Sequence, residues 1–396
     1  MRIFWVSAFI GCTTGYGVMS REICTRLADS GFEVYNVADF SPQGMPWGLN
    51  LEVTTEKGNP IKILASTQQG ANVLPYFVKK YKPDVIVVFW DPFNHLRYLS
   101  SIKTPKLWYT PVDGPLTEKS VATLNCADYI VAYSKYGYLE LSKFFPKSRI
   151  SLIYHGIDRK VFKPLCKSRC RQKFNIPEDK VVFLSIFANL GTRKQIPQML
   201  EAFSYFAKDK DDVLLYLHTN SADYPFGYDL DFIARSLRVR DKVVISSSSL
   251  VDPIDDEEIA ELINAADWYV CSSESEGFCI PLLQSISCEV PVIAIENSAQ
   301  LELAEECGII SSASIDYANY PLYVPYHTRY KPPSIPSLVA SFEYAYKITH
   351  TEKYNELRKS CRKKAEKYDW NRIFPKWIDT LKMVEEDFKI LNQVIL

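Results

Sequence analysis

Residues 268–295 read WYVCSSESEGFCIPLLQSISCEVPVIAI, and this stretch decides the fold. It opens with an apolar run at 268–271, which is typical of a buried strand of a parallel sheet. Gly277 predicts a tight turn, and Pro281 suits the first turn of a helix, where its missing N–H costs nothing. The run at 290–295 predicts the next strand. Strand, glycine turn, helix and strand together make one right-handed α/β unit.

The start of the helix in this stretch is a candidate anion site. The first N–H groups of the helix, near Phe278, Cys279 and Ile280, point outward with the positive end of the helix dipole, which suits a phosphate. Glu276 stands beside this point, and a carboxylate there can accept hydrogen bonds from the hydroxyls of a sugar attached to that phosphate. Gln284 lies about two turns further along the helix. The alternative is that Glu276 is a solvated loop residue and Gln284 an exposed helix residue.

The segment EGFCIPLLQ at 276–284, with VPVIA at 290–294 and QLEL at 300–303, resembles the signature of the family 4 retaining glycosyltransferases of GT-B fold. That family usually reads Glu-Gly-Phe-Gly-Leu-Pro-x-x-Glu, and the resemblance implies donor binding by Gly277 to Ile280. Cys279 replaces a glycine, a mild change if only its backbone N–H is used. Gln284 replaces a glutamate that holds the ribose hydroxyls in the family, and a neutral amide gives up on the order of 1 kcal/mol there.

The composition predicts two domains and no global attraction to nucleic acid. A chain of 396 residues with 47% hydrophobic content can bury two sizeable cores, and its net charge is −1. Residues 1–165 hold nineteen Lys and Arg against thirteen Asp and Glu, a net charge of +6. That charge would suit an anionic acceptor or a peripheral membrane contact, although an ordinary solvated face is the simpler explanation.

The sequence predicts a cytoplasmic protein without a structural metal. No apolar run approaches the roughly 18 residues of a membrane span, and the first residues predict a strand rather than a signal peptide. The ten cysteines are scattered, mostly in apolar runs, which favours free buried thiols. Cys166 and Cys170 lack the second Cys or His pair that a zinc site needs.

The N-terminal segment predicts a strand at 2–9, a glycine loop with Gly15 and Gly17, a helix at 19–30 and a strand at 33–37. Gly15-x-Gly17-x-x-Ser20 with Asp39 imitates a dinucleotide fingerprint, which would indicate an oxidoreductase. The imitation is weak, because Gly15 comes some six residues after the strand and Ser20 replaces the third small residue. The resemblance implies instead that the glycine loop faces the donor phosphate and the acceptor.

Further along the first domain, Asp113 follows a predicted buried strand at 106–110. Ligands of open α/β sheets lie at the carboxyl ends of the strands, so Asp113 is a candidate for contact with the donor sugar or the acceptor hydroxyl. A turn or cap role is an equally simple explanation. Many relatives of the resembled family carry a histidine in this region, and this chain does not.

Two adjacent cations follow the first strand predicted in the second domain. Arg193 and Lys194 stand between the strand at 181–187 and an amphipathic helix at 196–206, where they could neutralise a diphosphate. They could also be ordinary solvated side chains. The sequence matches the family subset with Asn-x-x-x-Arg-Lys, which implies that Asn189, Arg193 and Lys194 hold the donor diphosphate. The resemblance also places recognition of the base near Ser247 and Leu250.

These observations predict two Rossmann-like, doubly wound parallel-sheet domains facing across a cleft. The expected segments are an acceptor domain at 1–165, a nucleotide-sugar domain at 166–372, and a helix at 373–396 that packs back on the first domain. The resemblance implies a retaining, metal-independent transferase without a cofactor, which uses a UDP- or GDP-sugar and a glycan, lipid-linked or protein acceptor. Two alternatives remain: a glycosyltransferase-derived binding or scaffold protein, suggested by Gln284 and the missing histidine, and an NAD(P)-dependent oxidoreductase.

Overall fold

The structure is a computed structural model that describes residues 1–39, 50–189, 192–219, 227–246, 255–314 and 332–394. The chain divides into two compact units, each built on its own sheet. The first unit comprises Met1–His155 and the C-terminal segment from Asn371 onward. The second unit begins at Gly156 and ends at Trp370. The two sheets confirm the predicted α/β fold class.

The first unit contains an eight-stranded sheet in the order β3-β4-β2-β1-β5-β6-β7-β8. Its strands are β1 (Arg2–Ala8), β2 (Glu33–Asp39), β3 (Asn50–Thr54), β4 (Pro60–Ser66), β5 (Val85–Val88), β6 (Lys106–Thr110), β7 (Tyr129–Ala132) and β8 (Ile150–Leu152). All neighbouring pairs are parallel except β3 with β4. The central strands are buried, which explains why they read as continuous apolar runs.

Within the described residues, four helices connect these strands. They are α1 (Gly15–Asp29), α2 (Leu74–Tyr81), α3 (Glu118–Leu124) and α4 (Lys135–Leu141), with short 3-10 turns at Gln68–Gly70, Asn94–Ser101 and Lys147–Arg149. Helix α1 begins at Gly15 rather than at residue 19, because the Thr14 side chain accepts a hydrogen bond from the N–H of Gly17 and caps the helix there. The described part of the segment at 41–82 contains β3, β4 and α2.

The second unit contains a six-stranded sheet in the order β11-β10-β9-β12-β13-β14, with every neighbouring pair parallel. Its elements in chain order are α5 (Lys167–Lys173), β9 (Val181–Ile186), α6 (Ile196–Phe206), β10 (Val213–His218), α7 (Leu230–Ser236), a 3-10 turn (Arg240–Lys242), β11 (Val243–Ser246), α8 (Asp256–Ala265), β12 (Trp268–Cys271), α9 (Ile280–Ser287), β13 (Val292–Ile295), α10 (Ser298–Ala304), β14 (Gly308–Ser311), α11 (Ile335–Ile348), α12 (Glu352–Ala365) and a 3-10 turn (Glu366–Tyr368). Aromatic rings of β9, α6 and α11, among them Phe183, Phe203 and Phe342, pack edge to face in its core.

The second sheet has a topological switch point between β9 and β12. From β9 the chain continues outward to β10 on one side, and β12 lies on the other side. In such sheets the loops that leave the two central strands diverge and open a crevice at the carboxyl ends of the strands. The loops that follow β9 and β12 carry the cation pair and Glu276, so the strand order brings together two segments that are far apart in sequence.

Helix α13 (Trp370–Val394) supplies a core side chain to the first unit. Trp377 is fully buried there, with its ring centroid 5.5 Å from that of Trp5 and 4.7 Å from that of Tyr109. The second unit begins at Gly156 rather than at residue 166, because Ile157 exchanges backbone hydrogen bonds with Tyr368 and Trp370. Among the described residues, none of the helices combines the length and apolarity needed to cross a bilayer.

Candidate functional site

Glu276 forms the centre of an ion cluster at the carboxyl end of β12. Its Oε2 lies 2.8 Å from Nη1 of Arg193, and its Oε1 lies 2.5 Å from Nζ of Lys194. Ser273 donates a further hydrogen bond from its hydroxyl to Oε1 at 2.6 Å. The Glu276 side chain is 8% exposed, whereas Arg193 is 37% exposed. The alternative that Glu276 is a solvated loop residue is therefore wrong, and three residues singled out from the sequence lie in one cluster.

Hydrogen bonds to backbone carbonyls hold the loop after β9 and the loop after β12 against each other. Ser272 donates from its hydroxyl to the carbonyl of Lys194 at 2.8 Å, and the N–H of Glu274 donates to the carbonyl of Arg193 at 3.0 Å. Arg193 also donates from Nη1 to the carbonyl of Ser275 at 2.8 Å. These bonds fix the positions of both cations before any ligand binds, which lowers the ordering cost of binding an anion.

The charges of the cluster keep Glu276 ionised. Burial alone raises the pKa of this carboxyl, but the charges of Arg193 and Lys194 and the hydrogen bonds from Lys194 and Ser273 outweigh burial and lower the pKa to about 2. Two cations share a single carboxylate, so the cluster retains one net positive charge for an anionic ligand. Arg193, the more exposed of the two, is the side chain best placed to meet it.

The start of α9 adjoins this cluster, and it has an unusual backbone. Cys279 precedes the first helical residue with φ +76°, a left-handed conformation that favours glycine, and no side chain caps the helix. Cys279 therefore carries a side chain at a backbone position where side chains are strained. Pro281 lies in the first turn, as predicted. Gly277, Phe278 and Ile280 lie beside Cys279 in this turn.

Gln284 is buried in α9, with 8% of its surface exposed. The alternative that Gln284 is an exposed helix residue is therefore wrong. A buried amide needs hydrogen-bond partners, so the burial of Gln284 agrees with a specific hydrogen-bonding role for this side chain. Its proposed contact with ribose stays a prediction.

Glu274 is a candidate site residue that sequence reasoning missed. It is 1% exposed, and its Oε2 accepts a hydrogen bond from Nε2 of Gln195 at 2.8 Å. Burial raises the pKa of Glu274 to about 7, although the bond from Gln195 and the charge of Arg193 oppose the rise. The available signal was the polar run Ser-Ser-Glu-Ser-Glu directly after a buried strand, which places two carboxylates at one strand end.

Asn189 uses its side-chain amide within the protein. Its Nδ2 donates to the carbonyl of Tyr228 at 2.8 Å, and its Oδ1 accepts from the N–H of Tyr228 at 3.0 Å. This pairing imitates a strand contact and fixes the start of the segment at 227–229. The predicted contact of Asn189 with the donor diphosphate would have to replace or add to these bonds.

The predicted residues of the first unit occupy the carboxyl ends of its strands. Gly15 begins α1 after β1, and Asp113 follows β6 in a half-buried position. The local structure requires a glycine at position 17, because a Cβ there would lie 2.4 Å from the carbonyl oxygen of Cys12. Tyr16, which stands between the two glycines in the sequence, donates a hydrogen bond from its hydroxyl to Oδ2 of Asp91 at 2.6 Å. The sequence did not predict this contact.

Two predicted base-recognition positions, Ser247 and Leu250, lie outside the described residues. The structure confirms that Cys24, Cys271 and Cys288 are free and buried, whereas Cys126 is only half-buried. Cys166 is exposed and Cys170 is buried.

Comparison with known families gives the same assignment as the residue pattern around Glu276. Residues 167–310 match the family described as glycosyl transferases group 1. This part of the chain is similar to the group 1 glycosyltransferases. It contains the cation pair, Glu276 and the start of α9, so the candidate site lies within the matched domain.

Alignments with individual relatives are longer than the segment matched by the family. The chain is 23% identical over 267 residues to a probable sucrose-phosphate synthase of Thermosipho melanesiensis, which covers 65% of this chain and 53% of that protein. It is 21% identical over 301 residues to an N-acetyl-α-D-glucosaminyl L-malate synthase of Bacillus anthracis, covering 70% and 75% of the two chains. The chain thus spans only about half the length of the first of these relatives.

Solved structures show the fold of the whole chain. A sucrose-phosphate synthase of Thermosynechococcus elongatus superposes with a TM-score of 0.77 at 16% identity, covering 97% of this chain and 99% of that one. Anabaena HepE in complex with UDP-glucose gives a TM-score of 0.72 at 15% identity, with 97% and 100% covered. These matches confirm the GT-B fold predicted from the sequence.

Proposed function

We propose that the protein transfers a sugar from a nucleotide-sugar donor to an acceptor hydroxyl, with retention of the anomeric configuration and without a metal ion. The observation that carries the proposal is the placement of Glu276 between Arg193 and Lys194 at the switch point of the second sheet. The loops there are already bound to each other, and the cluster keeps a net positive charge. Such a site suits a diphosphate joined to a sugar.

The chemistry follows from the charge that develops as the donor bond breaks. When the sugar leaves, negative charge accumulates on the nucleoside diphosphate, and Arg193, Lys194 and the positive end of α9 stabilise it. Glu276 is kept ionised by its partners and accepts hydrogen bonds from sugar hydroxyls. The leaving diphosphate takes the proton of the acceptor hydroxyl, so no strong protein base is required. The acceptor meets the first domain, where Asp113 is a candidate contact.

The donor is a UDP- or GDP-sugar, and a UDP-sugar is the first to test. Anabaena HepE, whose fold this chain shares, was solved with UDP-glucose. Gln284 in α9 would contact the ribose, with its carbonyl accepting from one hydroxyl and its NH₂ donating to another. No resident cofactor is proposed, and the acceptor class is a glycan, a lipid-linked carrier or a protein.

A second candidate function is binding of a nucleotide-sugar with little or no turnover. Three observations favour it: the strained Cys279 in place of glycine, the neutral Gln284 in place of glutamate, and the commitment of the Asn189 amide to Tyr228. The dinucleotide alternative has lost part of its support, because the close approach of Gly17 to Cys12 explains that glycine without a cofactor.

A panel of UDP-, GDP- and ADP-sugars tested by thermal shift would identify the donor. A ligand present at a hundred times its dissociation constant stabilises the folded state by ~2.7 kcal/mol, which is readily detected. The identified donor is then incubated with candidate acceptors, and release of the nucleoside diphosphate is followed with the anomeric configuration of the product. A donor that binds without release across all acceptor classes supports the binding protein. No stabilisation by any member of the panel contradicts both candidates.

A further inference from the structure

Two cysteines and Glu276 lie together in the second unit. The Sγ atoms of Cys271 and Cys279 are 3.6 Å apart, and each of these sulfurs lies within 4.8 Å of a carboxylate oxygen of Glu276. All three residues are buried. Among the described residues, this is the one group of three or more Cys, His, Asp and Glu side chains whose ligand atoms converge in this way.

The sulfur separation matches that of two ligands on one tetrahedral ion. Zinc–sulfur bonds of about 2.3 Å at tetrahedral angles put two sulfurs roughly 3.8 Å apart. A thiolate and a carboxylate oxygen on the same ion are about 3.5 Å apart, so a carboxylate oxygen within 4.8 Å of each sulfur has to approach by at most about 1.3 Å. A disulfide instead requires the sulfurs to close to about 2.05 Å, a much larger movement.

The surroundings provide room and balancing charge for an ion. Cys271, Cys279, Glu276 and Lys194 line a small cavity of about 20 Å³, enough for one water-sized occupant. Two thiolates, one carboxylate and a divalent cation together carry one negative charge, and Lys194 and Arg193 stand beside them. The amide oxygen of Gln300 lies 3.3 Å from Sγ of Cys271, and its Nε2 is fixed by the carbonyls of Ser273 and Ile295.

We propose that Cys271, Cys279 and Glu276 form a site for a soft divalent metal ion of the Zn²⁺ class. Binding forms two metal–sulfur bonds and one metal–oxygen bond, the two thiol protons leave to solvent, and a water completes the tetrahedron. Thiolate ligands select zinc, cobalt or cadmium over magnesium or manganese. The ion draws Glu276 away from Arg193 and Lys194, so it inhibits transfer. This inhibition rests on the proposed function, whereas the binding of the ion does not.

The binding test uses Co²⁺ as a spectroscopic probe on the reduced, metal-free protein. Thiolate-to-cobalt charge-transfer bands with intense tetrahedral ligand-field bands are expected, with displacement by Zn²⁺ and no competition from Mg²⁺. Cys271→Ser should remove about half of the charge-transfer intensity at saturating Co²⁺, because one of two cobalt–sulfur bonds is lost, and should weaken the affinity at least about tenfold. Glu276→Gln should weaken affinity but keep the thiolate bands, which gives a second reading if Cys271→Ser does not fold.

A matched control comes from the other buried thiol pair of the same unit. Cys307 and Cys361 are both buried, with Sγ of Cys361 3.3 Å from the carbonyl of Cys307, but they do not belong to a three-ligand group in the described part of the chain. Cys307→Ser should therefore keep the cobalt spectrum of the parent. Absence of thiolate bands in the parent, or loss of them in Cys307→Ser but not in Cys271→Ser, would overturn the metal site.

The inhibition test adds Zn²⁺ to the transfer assay. Turnover should fall with Zn²⁺ and recover on chelation in the parent and in Cys307→Ser. Cys271 belongs to no proposed substrate contact, so Cys271→Ser should keep its turnover and resist Zn²⁺ at least about tenfold better than the parent. Equal inhibition of Cys271→Ser and parent would overturn the inhibitory role. If no transfer is found with any acceptor, the proposed function fails while the cobalt spectra still decide the metal site.

Discussion

Gln195 donates a hydrogen bond from Nε2 to Oε2 of Glu274 over 2.8 Å, and both side chains are buried. The two residues come from different loops, one after β9 and one after β12. The Oε1 atom of Gln195 has no hydrogen-bond partner among the described residues. A protonated Glu274 has an O–H group that can donate a hydrogen bond to this atom. The pair therefore links the protonation of Glu274 to the stability of the site loops.

The raised pKa of Glu274 predicts a fall in stability between about pH 4.5 and about pH 7. The folded protein holds the Glu274 proton more tightly than the unfolded chain does. The resulting stabilisation is therefore complete below the pKa of Glu274 in the unfolded chain, and it is lost as the pH rises through the pKa of Glu274 in the folded protein. The slope is at most about 1.4 kcal/mol per pH unit. Glu274→Gln should flatten it, as measured by urea unfolding across this range. Glu276→Gln is the control, because the pKa of Glu276 is lowered and its pH dependence lies below this window. Equal slopes in parent and Glu274→Gln would contradict the shift.

Glu276→Ala and Lys194→Ala should each lose about 100-fold or more in turnover while folding normally. Both side chains meet at the proposed diphosphate-sugar site, where a contact made in the transition state is worth roughly 3 kcal/mol. The matched control is Lys210→Ala, which breaks an ion pair with Glu343 at 2.7 Å in the same unit but outside the cluster. Near-normal turnover in either site variant, with circular dichroism showing a folded protein, would remove the assignment.

Gln284→Glu should tighten binding of the nucleoside diphosphate by about 1 kcal/mol, roughly fivefold. A carboxylate accepts from both ribose hydroxyls, whereas the amide accepts from one and donates to the other. The gain should lower KM more than it changes kcat, because ribose contacts differ little between ground and transition states. Gln284→Ala should weaken binding. Calorimetric titration decides the matter, with the exposed Gln172→Glu of α5 as control. Identical affinities in all variants would make Gln284 an ordinary core residue.

Cys279→Gly should destabilise the protein less than Cys271→Gly, by about 1–2 kcal/mol. Both changes delete a buried thiol of the same pair. Cys279 has φ +76°, so a glycine there relieves backbone strain, whereas Cys271 lies in strand β12 and a glycine there only adds flexibility. Denaturant unfolding at fixed pH measures the difference. The opposite ranking would show that the side chain of Cys279 offsets its strained backbone.

Chelation should leave transfer unchanged if the donor diphosphate is neutralised by Arg193, Lys194 and the start of α9. The assay compares turnover with and without EDTA, followed by addition of Mg²⁺ or Mn²⁺. Activity that is lost in EDTA and restored by either ion would contradict the proposed metal-independent mechanism. A rise in activity on chelation is a separate result, expected only where a zinc-class ion occupied the thiol site beforehand.

Local sequence patterns predicted most of the fold. Buried parallel strands read as continuous apolar runs, and helix α6 begins and ends at the residues that its apolar periodicity indicated. The segment at 41–82 offers few local signals, because its edge strand β3 pairs antiparallel with β4 and lacks the apolar run of a central strand.

The candidate site was only partly predictable. Arg193, Lys194 and Glu276 were found because charged residues follow buried strands, but their direct contact depends on β9 pairing with β12, which no local pattern specifies. Glu274 was missed because one loop carries two similar carboxylates. The two carboxylates differ in their partners from the other loop. Glu274 meets the neutral Gln195 and can hold a proton, whereas Glu276 meets the two cations and stays ionised.

The packing of Trp377 against Trp5 also constrains how the protein can be made. On a ribosome, Trp5 emerges before the second unit, whereas Trp377 emerges only after the whole of that unit. Until then the nascent first unit exposes an apolar gap where an indole belongs, and such surfaces attract chaperones and favour aggregation. The second unit contains no residue from α13 beyond Trp370 and can complete its core earlier. The half of the protein that is translated first is therefore expected to finish folding last.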